Sequence, residues 1–278
     1  MAVDFGKVFG FALRYSLRRD VFFTLLAVQL IFSLPTWFMT GYLVGDISGI
    51  EGMEAFGKFI SSMLYLAPII IVGWIIGIFL MGVYFDNSAK FYKGKRKPVL
   101  DSLKAGKERF LPLLATLVIL GLIFMACFGG IFLFLFIFPF LESQAGILLL
   151  IIGGIWFLAG SIIAVVVFFM TFLAPVFCVL EKERPLNSIK KSWNLIGKNK
   201  LNTFLFLIIF FVIYMVILMV GSIPETIFIL MTGEPSLLSV QSLSFLVFRT
   251  FFTVYSILFA YSSDVNYYLS IKKRTGVF

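Results

Sequence analysis

The chain has 278 residues, 61% of them hydrophobic and 13% charged, with a formal net charge of +9. Soluble domains run nearer half apolar and a quarter charged, so this apolar excess requires lipid as part of the solvent and excludes an ordinary globular fold. Histidine is absent, which removes the commonest general base and the commonest transition-metal ligand. Cys127 and Cys178 both sit in apolar runs, with neither disulfide-framework nor zinc spacing.

Residues 1–20 read as an amphipathic helix. Phe5, Val8, Phe9, Ala12, Leu13, Ser16 and Leu17 follow an i, i+3, i+4, i+7 stripe, with Lys7, Arg14 and Arg18 off it. The apolar run that follows is too long for a cleavable signal, and Ala2 does not fit the Gly required for myristoylation. Apolar runs at 21–44 and 59–85 predict the first two membrane spans, joined by a link at 45–58 that carries Gly45, Gly49 and Gly52. Pro35 and Pro68 fall inside these spans and predict kinks. Gly73 and Gly77 form a GxxxG that permits close packing. Asp86 ends the second span four residues before Lys90, a spacing that predicts a local ion pair.

After Pro98 the segment 101–106, DSLKAG, introduces spans at 111–138 and 146–180, with Pro139 between them. The fourth run is about 35 residues, roughly 50 Å as a helix, against a bilayer core of roughly 30 Å. It must tilt, kink near Gly153-Gly154 or Gly160, or project beyond the bilayer before Pro175; projection with a kink is the favoured expectation. Pro185 then opens a third amphipathic segment in which Leu186, Ile189, Trp193 and Ile196 form the apolar side. The last spans fall at 202–224 and 243–269, with Gly233 and Pro235 in the link 225–242. Arg249 lies near one boundary, placed to snorkel, to pair with Glu225 or Glu234, or to hold an anionic ligand. Asp264, eight residues before Lys272 and about 12 Å further in along a helix, calls for a partner such as Lys90 or a base of the repeated segments.

The basic residues are distributed unequally. Four fall before the first span, eight between the second and third, six between the fourth and fifth, and three after the sixth, so 21 of 23 share one side. Only Lys58 and Arg249 fall elsewhere, and the opposite links carry Asp46, Glu51, Glu54, Glu142, Glu225 and Glu234. The positive-inside rule assigns the basic side, and with it both termini, to the cytoplasm.

Three short segments resemble one another: FALRYS at 11–16, DSLKAG at 101–106 and NSIKKS at 187–192. Ala12, Ser102 and Ser188 correspond, as do Arg14, Lys104 and Lys190, and Ser16, Gly106 and Ser192. The expected fold is therefore an all-α polytopic membrane protein, one domain over 1–278. Its six transmembrane helices form three hairpins, each preceded by a short amphipathic interfacial helix, in repeat units of about 4–85, 98–180 and 185–270. Because each unit enters from the same side, the units would be parallel and related by pseudo-threefold symmetry.

The stretch 173–199, LAPVFCVLEKERPLNSIKKSWNLIGKN, resembles a segment of the six-span membrane domain fused to some prokaryotic glycerophosphodiester phosphodiesterases, and of stand-alone relatives without assigned function. Pro175, Pro185, Ser188, Lys190, Lys191, Ser192 and Trp193 carry the likeness, with Tyr267, Tyr268 and the basic tail. The resemblance implies topology rather than chemistry, because the acidic and His ligands of the phosphodiesterase are absent.

No Walker loop, dinucleotide fingerprint, metal-ligand cluster or nucleophile–histidine pair occurs. No catalytic residue, cofactor, metal or nucleic acid is expected. The sequence predicts a non-enzymatic plasma-membrane protein that handles lipid or another amphiphile, or serves as a membrane subunit of a complex. A small-solute transporter and a lipid-modifying enzyme are the alternatives, the latter having only Asp86, Asp264 and lysines to work with. Candidate contacts to anionic lipid head groups are Arg14, Lys104, Lys190, Ser102 and Ser188, although adhesion to the membrane surface is the simpler account of these segments. Asp86, Asp264 and Arg249 are the intramembrane charges to weigh, with structural roles favoured for all three. A protein partner or a second copy stays open.

Overall fold

A computed structural model describes residues 3–47, 53–129, 144–232 and 240–275. Every regular element among them is helical: α1 (Phe5–Ser16), α2 (Arg19–Ile47), α3 (Met53–Tyr92), a 3-10 turn (Val99–Ser102), α4 (Leu103–Cys127), α5 (Gln144–Thr171), α6 (Ala174–Leu180), α7 (Pro185–Gly197), α8 (Lys200–Thr232) and α9 (Val240–Thr275). Six helices are long and apolar enough to cross a membrane, with candidate spans at Arg19–Thr36, Leu64–Tyr92, Val99–Cys127, Ile151–Leu180, Lys200–Ile227 and Leu243–Arg274. The chain is thus an all-α, membrane-embedded polytopic protein.

Several boundaries differ from the sequence reading, each for a local reason. The second amphipathic segment is not a separate helix: the 3-10 turn at Val99–Ser102 runs straight into α4, which continues through Gly106 and Pro112. The helix α8 passes through Pro224 and reaches Thr232, where a link was expected. Prolines 35, 68 and 112 also lie inside helices, as lipid-facing helices tolerate. The long fourth run is interrupted at Phe172–Leu173, while α5 runs unbroken through Gly153, Gly154 and Gly160. Pro175 explains the position: it lacks an N–H and its ring crowds the carbonyl of residue i−4, which is Thr171, the last residue of α5. The link residues Gly49, Gly52, Glu51, Pro139, Glu142, Gly233, Glu234 and Pro235 lie outside the described residues.

The chain forms two compact units. The first joins residues 1–107 to 206–278. Asp4 caps α1 by accepting from the Lys7 amide at 3.1 Å; Val8, Phe9, Ala12, Tyr15 and Ser16 are its buried side. That side lies against the last turns of α9 in the opposite sense, with Ser262 Oγ 3.3 Å from the Ala12 carbonyl and Lys7 near Lys273. Phe9 stacks on Phe206 at 5.4 Å, and Phe206 on Tyr267 at 4.1 Å. Around Tyr15, Val21, Leu80, Tyr84 and Leu258 the helices α1, α2, α3 and α9 share one apolar core. The GxxxG of α3 contributes little close approach: a Cβ at Gly73 would touch only the Phe32 ring at 3.5 Å, and one at Gly77 would meet nothing within 4 Å. Close contact occurs at Gly106 instead, where a Cβ would stand 2.5 Å from Val83 Cγ2 and 3.2 Å from the Phe79 carbonyl oxygen.

The second unit is 108–205. There Gly160 of α5 crosses the end of α4 so closely that a Cβ would lie 2.8 Å from the Cys127 carbonyl carbon. Ser192 of α7 donates to the Met170 carbonyl at 3.0 Å. The turn between α6 and α7 is pinned by Lys191, whose ammonium meets Glu181 at 2.8 Å and Glu183 at 2.7 Å. Lys182 in that turn adopts φ 59, a left-handed conformation costly for a residue with a Cβ, and its carbonyl accepts from Arg109 at 3.3 Å.

Candidate functional site

The three repeated segments present the same division of labour. Ala12, Ser16, Ser102, Ser188 and Ser192 are all 0% exposed, and Gly106 is buried with them. Residues four apart share a helical face, so each pair (Ala12 and Ser16, Ser102 and Gly106, Ser188 and Ser192) forms a narrow strip on which a neighbouring helix closes. Arg14, Lys104 and Lys190 stand midway between the members of each pair and are exposed, on the opposite side of their helices. Beside each base, one turn away, is a leucine left out of the packing: Leu17 at 68%, Leu100 at 70% and Leu186 at 69% exposure.

Ser102 and Ser188 therefore face inward rather than joining the bases. Ser188 Oγ donates to the Pro185 carbonyl at 2.7 Å. Ser102 Oγ accepts from Lys90 Nζ at 3.2 Å. In α7 the packed side is Ser188, Ser192 and Ile196. The residues Leu186 and Trp193, expected on one apolar side with Ile196, are exposed, because a strip of small residues admits closer contact than a ridge of large ones.

Asp86 is 2.5 Å from Lys90 Nζ, and Lys90 also reaches the Asp101 carbonyl at 3.3 Å. Lys90 is thus committed to Asp86 and to the turn before α4, and is not the partner of Asp264. Asp264 is half-buried, three residues beyond Tyr261, and makes no hydrogen bond or ion pair among the described residues. Arg249 is exposed and 3.6 Å from Glu225 across α8 and α9, one of the two pairings its position suggested.

A denser polar centre escaped the sequence reading. Asn87, 1% exposed, accepts from the Tyr15 hydroxyl at 3.1 Å and from Arg18 at 3.4 Å. Its amide donates to the carbonyls of Lys97 and Pro98 at 3.3 and 3.2 Å. Arg18 adds bonds to Asp20 at 2.6 Å and to the Lys97 carbonyl at 2.9 Å, and lies over the Phe91 ring. Burial pushes the Tyr15 phenol well above its ordinary pKa, with Arg18 acting in the opposite direction. The phenol thus stays a neutral donor. The available signal was an Asn next to Asp86 at the end of an apolar span.

Elsewhere in the first unit, α2, α3 and α9 line a cavity of about 180 Å³ between Leu25, Phe32, Ile76, Leu80 and Ile257, where among the described residues only Gln29 and Tyr261 offer polar side-chain atoms. Among the described residues no group of three metal-ligating side chains converges.

Comparison with curated proteins and with solved structures gives no match. One family profile matches residues 87–271, from the polar centre at Asn87 to the packed end of α9; its description is Domain of unknown function (DUF7847). The match takes in two of the three repeated segments and well over half of the chain, so this all-α membrane protein belongs to the DUF7847 family.

Proposed function

We propose that the protein is a non-enzymatic, multi-pass component of the plasma membrane that handles lipid or a similar amphiphile, alone or as a membrane subunit of a complex. Its six spans form three hairpins entered from the cytoplasm, which also holds both termini. The likeness of the segments 11–16, 101–106 and 187–192 supports a pseudo-threefold relation among the hairpins.

One observation carries the reading: in all three segments a pair of small buried residues packs inward while an exposed base and an exposed leucine share the outer side. Apolar side chains dip into the acyl boundary and bases reach toward anionic head groups where a helix meets the membrane surface. The cavity between α2, α3 and α9 supports the same reading, because its largely apolar wall suits an acyl chain better than a hydrated solute.

The test is reconstitution of the purified chain into vesicles carrying fluorescent lipids in one leaflet. Accelerated exchange between leaflets, reduced by Arg14→Gln, Lys104→Gln and Lys190→Gln together, is the expected result. Absence of exchange across neutral and anionic lipids, with no lipid retained on purification, would sink the proposal.

A further inference from the structure

We propose that the basic end of the first unit holds a binding site for a phosphate monoester, formed where the start of α1, the end of α3 and the last turn of α9 meet. A cavity of about 600 Å³ lies there, with Lys7, Lys273 and Arg274 at its rim, Tyr92 and Ser270 on its walls, and Val3 and Val8 lining it as well. Both valines are buried, so the cavity has a firm apolar side as well as a charged one.

The charges are unbalanced in favour of an anion. Among the described residues Asp4 is the one carboxylate lining the cavity, and it is already engaged, 3.2 Å from Lys7 Nζ and accepting from the Lys7 amide. Lys273 and Arg274 have no carboxylate partner among the described residues. Two uncompensated bases match a phosphate monoester, which carries close to two negative charges at neutral pH. Arg supplies a planar fork for two phosphate oxygens and Lys a mobile point charge. The hydroxyls of Tyr92 and Ser270 are further donors, and the valines suit an ester carbon rather than bare inorganic phosphate.

The position in the fold adds a constraint. Lys273 and Arg274 occupy the last turn of α9, where the negative end of the helix dipole favours bases. The cavity sits where the candidate spans Leu64–Tyr92 and Leu243–Arg274 end, and bases at a span's end attract anionic head groups. The anion is therefore either a lipid head group of the phosphatidic-acid type or a soluble phosphate monoester. In the lipid case the site rests on the amphiphile reading above; in the soluble case it stands apart from it.

The experiment uses the full chain in phosphatidylcholine nanodiscs. One arm titrates glycerol 3-phosphate, and the other introduces short-chain phosphatidic acid. Each base near a membrane surface strengthens anion attachment about fivefold, so Lys273→Gln with Arg274→Gln should weaken binding roughly thirtyfold. Lys95→Gln with Lys107→Gln, which removes equal charge from exposed positions elsewhere in the same unit, should weaken it no more than about threefold through general screening. Binding in both arms assigns a soluble-phosphate site; binding only with phosphatidic acid assigns a head-group site. No saturable binding in either arm, or equal loss in the two double variants, overturns the proposal. Lipid exchange measured alongside separates the two claims: exchange without phosphate binding removes this site alone, and phosphate binding without exchange removes the amphiphile reading alone.

Discussion

Replacing Gly106 by Ala tests whether the small-residue strip is a true helix crossing. The added methyl would sit 2.5 Å from Val83 Cγ2, with the Phe79 carbonyl oxygen and ring both at 3.2 Å. Val83 is fully buried and stiff about χ1, so it cannot swing aside, and the carbonyl is backbone. Overpacking of this kind costs about 1–3 kcal/mol. Gly-to-Ala also raises helix propensity by about 1 kcal/mol, which would obscure the clash if measured alone. Gly121, on the same helix with nothing within 4 Å of its would-be Cβ, shares the propensity gain without the clash. The difference between Gly106→Ala and Gly121→Ala therefore isolates the crossing. It should be about 2 kcal/mol, or about 6 °C in thermal unfolding in detergent for a chain of this size. Equal unfolding temperatures for the two variants would show that the crossing is not close and would remove the packing half of the three-segment equivalence.

Other expectations follow from the same geometry. Gly160→Ala should destabilise the second unit by about 3 kcal/mol or more, because the clash is with the Cys127 backbone; Gly154→Ala, whose would-be Cβ meets nothing within 4 Å, should not, and thermal unfolding of the pair decides it. Asn87→Ala removes the shorter of the Tyr15 phenol's two hydrogen bonds and the amide bonds to the Lys97 and Pro98 carbonyls, and should cost about 2 kcal/mol. Limited trypsin digestion at the 93–97 turn should accelerate, and unchanged digestion would mean that Asn87 does not hold the turn. Lys191 is held above its ordinary pKa of 10.5, first by its hydrogen bond to Glu181 and then by that to Glu183. Since the folded value is the higher one, this stabilisation is complete below pH 10.5 and fades as pH rises through the folded value. The stability gap between wild type and Lys191→Gln should accordingly be level from neutral pH to about pH 10.5 and close above it; a gap still open well beyond that pH would contradict the ion-pair account.

The spans were legible because lipid imposes one strong rule on composition, and Phe, Ile and Leu runs obey it whatever their partners. The likeness of the segments holding Ala12, Ser102 and Ser188 was visible as a sequence pattern, but the burial of all three residues was not. Small residues on an amphipathic helix fit a phosphate contact or a tight crossing equally well, and only the neighbour's position distinguishes them. For the fourth run the sequence offered a tilt, a kink near Gly153-Gly154 or Gly160, or projection before Pro175, with projection and a kink favoured; the helix break falls at Phe172–Leu173, just before Pro175, and α5 is continuous through the glycines. In lipid, an unbroken backbone is favoured wherever every N–H can be satisfied, and only a proline removes that option. Asn87 was passed over for the opposite reason: a neutral side chain gives no sign in hydropathy or charge, and its four partners come from α1, from Arg18 just beyond it and from Lys97 and Pro98 ahead of the 3-10 turn.

The contact between Ala12 and Ser262 joins positions 250 residues apart, and this separation governs assembly. At roughly 5–20 residues per second of synthesis, α1 waits roughly 12–50 s before the helix it packs on exists. During that interval the Ala12 contact has no native partner, and Phe9 has none until Phe206 of α8 is made. The second unit, continuous in sequence from 108 to 205, has no such delay and can close while the ribosome is still making α8. The last helix inserted is therefore the one that completes the first unit, and a nascent chain halted before α9 would leave α1 to the membrane surface or to a chaperone.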